Sequence, residues 1–190
     1  MSVPALRRAD FRYTRYFCEE NIWWLAHSLR ESGFGIEHSR VWLITNPAQS
    51  VVLLNQRSAR PGWPMVWDYH VILQADLDGS PTIIDFDTRL DFVTPLDAYL
   101  LATFPTQSLL RERYRSWIRT VPVASYLTHF CSDRSHMRVH LAANAFPDYP
   151  IIQPQDGVDA VSLERYLDLQ AVLGDGSHFR PLTALYPKLS

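Results

Sequence analysis

Residues 65–74, dense in Val, Ile, Trp and Tyr, run through Asp78-Gly79 into a second strand-like stretch at 82–86, and no other part of the chain commits its backbone so narrowly. Aromatic and β-branched residues on both sides of an Asp-Gly pair predict an antiparallel hairpin, because that dipeptide tolerates the positive φ angles of a tight turn between twisted strands. A hairpin fixes partners as well as conformation. If Asp78-Gly79 is a two-residue turn, His70 lies across from Asp87; a four-residue loop over 76–79 sets it across from Asp85 instead. Side chains alternate along a strand, so either loop puts His70, Asp85 and Asp87 on one face, and spacing alone leaves the two aspartates as alternatives.

The second constraint is Tyr16-Phe17-Cys18-Glu19-Glu20-Asn21, which places one of only two cysteines at the mouth of a predicted helix. From Glu19 to Arg30, Ile22, Leu25, Ala26 and Leu29 form one apolar stripe, Glu19 and Glu20 complement the dipole in the first turn, and Gly33 and Gly35 end the helix. Free amides and the positive end of the dipole favour a thiolate at such a position.

The rest of the chain mixes the same two element types. Stretches 41–45 and 51–54 read as strands around Asn46-Pro47. Thr94-Pro95-Leu96-Asp97 predicts a capped helix over 95–103, and 108–119 reads as a second helix that buries Leu109, Leu110, Tyr114, Trp117 and Ile118. A short helix is expected over 125–130, an irregular connection over 147–157, and a helix over 163–173 capped by Ser162. Helices interspersed with a hairpin predict an α+β fold.

Length and composition narrow the possible roles. At 190 residues the chain supports one sizeable core, so residues 1–190 are expected to form a single catalytic domain. A net charge of −2 with no Lys/Arg run argues against nucleic acid as the main partner, and the basic stretch 111–119 reads as a solvated helix face. No apolar run is long enough for a bilayer and residues 1–10 lack a secretory apolar stretch, so the expectation is a monomer in the cytoplasm without a membrane partner. Cys18 and Cys131 are a single pair in a chain with a substantial core, and read as free thiols.

Cys18, His70 and Asp85 supply the residue types of a Cys-His-Asp set: a nucleophile, a base to take its proton, and a carboxylate to fix the imidazole tautomer. Spacing is equally compatible with a buried thiol, a strand histidine satisfied by a carbonyl and a carboxylate near a turn. Cys131, His136 and His140 lie close together in sequence but lack the fourth ligand and the spacing that zinc requires, so no metal site and no cofactor are assigned. The six tryptophans are read first as packing.

Taken together, Tyr16-Phe17-Cys18-Glu19-Glu20-Asn21-Ile22-Trp23, Ala59-Arg60-Pro61-Gly62, Val66-Trp67-Asp68-Tyr69-His70-Val71, Asp85-Phe86-Asp87-Thr88, Ser125-Tyr126-Leu127 and Ser132-Asp133-Arg134-Ser135-His136-Met137 resemble the protein N-terminal glutamine amidohydrolase family. These blocks follow the family's order from about residue 13 to about residue 150. Phe17 and the segment 174–190 depart from the family pattern. The resemblance implies a papain-like, transglutaminase-like fold, with helices on a mostly antiparallel sheet and the nucleophile at a helix start. It also implies a triad of Cys18, His70 and Asp85, and it is the resemblance that selects Asp85 over Asp87.

The implied reaction is hydrolysis of the side-chain amide of an N-terminal glutamine in a protein or peptide, through a thioester, with release of ammonia. In eukaryotes the family's product feeds arginylation and degradation of the target. Recognition of a free α-amine calls for a carboxylate near the nucleophile, and Glu20, then Glu19 and Asp133, are the expected candidates. The competing readings are a related thiol deamidase, transglutaminase or protease acting on internal residues, and a catalytically silent binding module.

Overall fold

Strand β1 (Arg40–Thr45) is buried at every position but its first, which a strand achieves only with neighbours on both edges and cover on both faces. In the computed structural model, which describes residues 6–77 and 79–190, β1 lies inside a six-stranded sheet. It pairs with β4 (His70–Leu77) on one edge and β7 (Trp117–Pro122) on the other. β5 (Ser80–Ile84) and β6 (Val93–Pro95) extend the sheet beyond β4, and β10 (Arg180–Pro181) extends it beyond β7. All five pairings are antiparallel. Two small pairs lie outside it: β2 (Val51–Leu53) with β3 (Met65–Trp67), and β8 (Phe130–Cys131) with β9 (Val161–Ser162).

Alternation along the central strands sorts their side chains into two layers. Val41, Leu43, Val71 and Leu73 pack with Ile22, Leu25 and Leu29 of α1 (Cys18–Glu31) and with Tyr126 of α3 (Val123–His129). Trp42, Ile44, Ile72 and Ile83 pack with Tyr99 and Leu100 of α2 (Leu96–Thr103) and with Leu182 of α5 (Leu182–Leu185). The sheet is therefore covered on both faces, in an α+β arrangement. Among the described residues, no helix is long and apolar enough to cross a membrane.

The hairpin register is the one that a two-residue connection dictates. Leu73 sits opposite Ile84, and Leu77 opposite Ser80. Gly79 has φ +75°, as a tight turn requires, while Asp78 lies outside the described residues. The preceding stretch differs from expectation. Residues 65–74 do not form one strand: β3 ends at Trp67, the chain bends at Asp68-Tyr69, and β4 begins at His70. The hydroxyl of Thr45 donates to the Asp68 carbonyl at 2.7 Å and anchors that bend.

The expected helix over 108–119 is absent. Two single 3-10 turns, Gln107–Leu109 and Glu112–Tyr114, lead directly into β7, and Leu109 is 85% exposed. The apolar spacing that suggested a helix also fits a strand over its last part. Trp117, Ile118, Thr120 and Val121 favour extended backbone, and β1 offers a complete edge to pair with. Arg119 obscured that strand, because a buried guanidinium is not a core signal. In the fold its Nη2 donates to the carbonyls of Asp168 and Ala171 at 2.7 and 2.8 Å, and the guanidinium lies over the Phe179 ring.

Two smaller differences concern helix ends. Pro95, rather than Thr94, occupies the cap of α2, and the Thr94 hydroxyl donates to the Asp91 carbonyl. Ser162 does cap α4, but that helix covers only Leu163–Leu167. The strand assignment of 117–122 is testable by urea denaturation. Ile118→Ala, at a fully buried position, is expected to cost about 2–4 kcal/mol, and Leu109→Ala to stay within about 0.5 kcal/mol. Equal costs would restore the helical reading.

Candidate active site

Cys18 and His70 come from opposite layers of the molecule and meet where β4 begins. Cys18 is the first residue of α1 and packs with the α1-side core. His70 opens β4, and Trp67, which packs with the α2-side core, stacks on its imidazole at 5.7 Å between ring centroids and 11° between planes. The break at Asp68-Tyr69 makes this stacking possible. Both residues line a cleft that opens to solvent, and Val71, next to His70, directs its backbone amide toward the Cys18 sulfur.

Nε2 of His70 lies 3.0 Å from Oδ1 of Asp85, with both side chains buried. By the hairpin register His70 would sit across from Asp87. However, β5 ends at Ile84, and the diagonal residue Asp85 is the one that meets the ring. Its remaining valences are filled by the Asp87 amide, which donates to Oδ1 at 2.8 Å, and the Tyr99 hydroxyl, which donates to Oδ2 at 2.8 Å. Burial opposes a charge on both partners. The attraction between them outweighs it, so His70 titrates above its ordinary range and Asp85 below the usual carboxylate range. The bond leaves Nδ1 of His70 as the ring nitrogen free to exchange a proton.

Asp87 also lines the cleft, but its Oδ1 accepts from the Tyr13 hydroxyl at 2.6 Å, and burial raises its carboxyl. His70, Asp85 and Asp87 each place one potential ligand atom within 4.8 Å of the others, which is geometrically compatible with a metal ion. The donors aimed at their oxygens, from Tyr99, Tyr13 and the Asp87 amide, instead suit a hydrogen-bonded network that orients the imidazole. Both cysteines are free, and the side chain of His136 lies outside the described residues.

The expectation that the helix start lowers the Cys18 thiol is reversed. Burial pushes it well above its usual value, and Glu19 adds to the effect. Its Sγ lies 3.6 Å from Glu19 Oε2, which also accepts from the Tyr69 hydroxyl at 3.0 Å.

The three carboxylates expected near the substrate amine occupy different surroundings. Glu20 is fully buried in a two-pronged ion pair with Arg134, Nε to Oε1 at 2.8 Å and Nη2 to Oε2 at 2.7 Å. Arg134 also donates to the Tyr149 carbonyl, so it fastens the 132–137 loop and the 147–150 segment to the first turn of α1. Its own backbone is left-handed, at φ 59°. Glu19 lies beneath the thiol and does not line the cleft. Asp133 is exposed, is not among the described residues that line the cleft, and accepts from the backbone and side chain of Ser135.

Sequence reasoning missed several residues that build the site. Trp67, whose residue type reads first as packing, covers the imidazole, while Trp63 is 66% exposed. Tyr99 lies on a helix whose sequence gives no sign of a link to Asp85. Tyr69 and Asp68 belong to the Trp-Asp-Tyr-His block itself, so the signal for them was the block rather than any spacing. Phe17, an unusual residue before the nucleophile, is fully buried against the Phe146 ring.

Two outcomes follow from these surroundings. Glu20→Ala leaves the Arg134 charge uncompensated in a buried site and is expected to lower stability by about 3–5 kcal/mol in urea denaturation. Burial raises the Glu19 carboxyl to about 7. The folded protein therefore holds this proton at pH values where the unfolded chain has released it, and stability falls as pH rises from about 4.5 to about 7. Glu19→Gln, which still accepts from Tyr69, should remove that slope and stabilise the protein at pH 8 by on the order of 2–3 kcal/mol. An unchanged slope would contradict the assignment.

The model of the family described as N-terminal glutamine amidase matches residues 13–180. A protein N-terminal glutamine amidohydrolase from Danio rerio is 37% identical over 128 residues, covering 66% of this chain and 63% of that protein. Proteins of the same name from Bos taurus and Homo sapiens are 32% and 31% identical over 170 residues, covering 87% of this chain and 81% and 82% of theirs.

Proposed function

This chain belongs to the N-terminal glutamine amidase family, and from that premise we propose that it hydrolyses the side-chain amide of an N-terminal glutamine in a protein or peptide, giving N-terminal glutamate and ammonia. The observation that carries the proposal is the meeting of Cys18 and His70 in one solvent-open cleft, with the far nitrogen of His70 held by Asp85 at 3.0 Å. These are the three groups that amide cleavage through a thioester requires.

In this reading the Cys18 sulfur attacks the carboxamide carbon while its proton passes to Nδ1 of His70. Asp85 stabilises the resulting imidazolium through the hydrogen bond at Nε2 and, held by Tyr99 and the Asp87 amide, keeps the ring from turning. The tetrahedral oxyanion forms beside the start of α1. The Cys18 backbone N–H there belongs to the first helical turn and has no intrahelical acceptor, so it serves as one donor to that oxygen. His70 returns its proton to the departing amine, ammonia leaves, and the thioester remains. Water, deprotonated by His70, then cleaves the thioester and regenerates the thiol.

Protonation is matched to this sequence of steps. Desolvation raises the thiol, which calls for a base to take its proton, and Trp67 shields one face of the imidazole from water. Cys18 and His70 line the same cleft, and the Val71 amide beside His70 points at the Cys18 sulfur, which supports a direct transfer of the proton between them. The same parts could serve a thiol enzyme acting on internal residues; substrate choice separates the two.

Ammonia release from three matched short peptides tests the proposal: free N-terminal glutamine, acetylated N-terminal glutamine, and internal glutamine. Release is expected from the first alone, to fall to background in Cys18→Ala and by roughly 10²- to 10⁴-fold in Asp85→Asn. Release from internal glutamine at a comparable rate would point to a protein deamidase. Full activity in Cys18→Ala would remove the thiol from the mechanism.

A further inference from the structure

The proposed reaction leaves open how the cleft tells an N-terminal glutamine from an internal one, and the charged side chains around Cys18 bear on that choice. The reacting carbon of such a substrate is four bonds from its α-nitrogen, about 5 Å when the side chain is extended. Whatever reads the ammonium must therefore share the cleft with Cys18. Among the described residues lining the cleft, the carboxylates are Asp68 and Asp87.

Asp87 is largely buried, and one of its oxygens is held by the Tyr13 hydroxyl. Glu20 is consumed by Arg134, Glu19 lies below the thiol, and Asp133 is not part of the lining. Asp68 differs from all four. It is exposed, it faces the cleft, and its position is fixed from both ends: Oδ1 accepts from the Tyr69 amide at 2.9 Å, and its carbonyl accepts from Thr45 at 2.7 Å. It also lies in the bend that brings His70 to the site, so the element that sets the base sets this carboxylate too.

We propose that Asp68 binds the α-ammonium of the substrate's first residue and is the residue that restricts the enzyme to N-terminal glutamine. The assignment rests on the amidohydrolase reading given above. An ammonium seated on Asp68 forms a charge-assisted hydrogen bond with a carboxylate already in place. An acetylated or peptide-bonded nitrogen carries no charge, so its entry strips water from Asp68 without replacing it, and the chain that continues upstream occupies the same space. Arg15, which also lines the cleft, does not cancel this attraction: it is an exposed cation stacked over the Tyr16 ring at 4.5 Å, opposed by two carboxylates.

The test compares two peptides that differ only at the first residue, one beginning with glutamine and the other with its desamino analogue, in which hydrogen replaces the α-amine. Asp68→Asn keeps an oxygen that can accept from the Tyr69 amide, so the bend is preserved; the rate of Cys18 alkylation by iodoacetamide checks that the site is intact. The wild type should prefer the glutamine peptide. In Asp68→Asn, kcat/KM for that peptide should fall roughly 10- to 100-fold, mostly through KM, with the desamino peptide unchanged.

Asp68→Glu should recover part of the preference. The wild-type fall in kcat/KM as the substrate amine deprotonates, near pH 8, should flatten in Asp68→Asn. Retention of the full preference in Asp68→Asn, or its collapse in Asp87→Asn instead, would overturn the assignment, as would equal losses on both peptides. If the wild type turns over neither peptide, the amidohydrolase reading fails and takes this assignment with it. If it turns over the glutamine peptide but Asp68→Asn is unaffected, only this assignment fails.

Discussion

The buried hydrogen bond between His70 and Asp85 is the interaction around which the site is organised. Burying an imidazole beside a carboxylate is unfavourable unless the remaining valences of both are met, and a half-satisfied pair would be worse than an apolar core at the same place. The fold fills the valences of Asp85 from two directions and covers the imidazole from a third, leaving Nδ1 of His70 open toward the cleft. Tyr99 reaches across from α2, the Asp87 amide folds back from the end of β5, and Trp67 closes the open face of the ring. Each lies on a different element, so the orientation of one imidazole depends on the sheet, a helix and a bend being in register together.

The proposed nucleophile enters by an independent route. Cys18 belongs to the opposite layer, and α1 carries it to the start of β4 because Ile22, Leu25 and Leu29 seat that helix on the sheet. The Glu20–Arg134 ion pair ties the start of the helix to the 132–137 loop and the 147–150 segment. Glu20 therefore holds the end of the helix where the thiol sits. This separates the two adjacent glutamates in kind, since Glu19 shares a hydrogen bond with the thiol and Glu20 shares a salt bridge with a distant loop.

What could be read from sequence followed from local rules. The amphipathic stripe of α1 and the Asp-Gly turn both predicted their elements, and alternation put His70 on one face with two aspartates. The choice between Asp85 and Asp87 depended on where β5 ends, a tertiary outcome with no local marker; only the resemblance distinguished them beforehand. The error at 108–119 has the same origin. A periodicity compatible with a helix was overridden by the open edge of β1, and Arg119, buried by carbonyls from a segment about 50 residues away, concealed the strand. The thiol was misjudged for another reason: the helix start was legible, but its burial and the nearness of Glu19 were not.

The central claim is that Cys18 carries the substrate as a thioester. Mass spectrometry of the protein, quenched in acid during turnover of a peptide with N-terminal glutamine, tests it most directly. A species heavier than the free protein by the mass of the peptide less one ammonia, located on Cys18 by digestion, is what the account predicts. Steady ammonia release without any such adduct in burst-phase sampling, or an adduct on another residue, would contradict it.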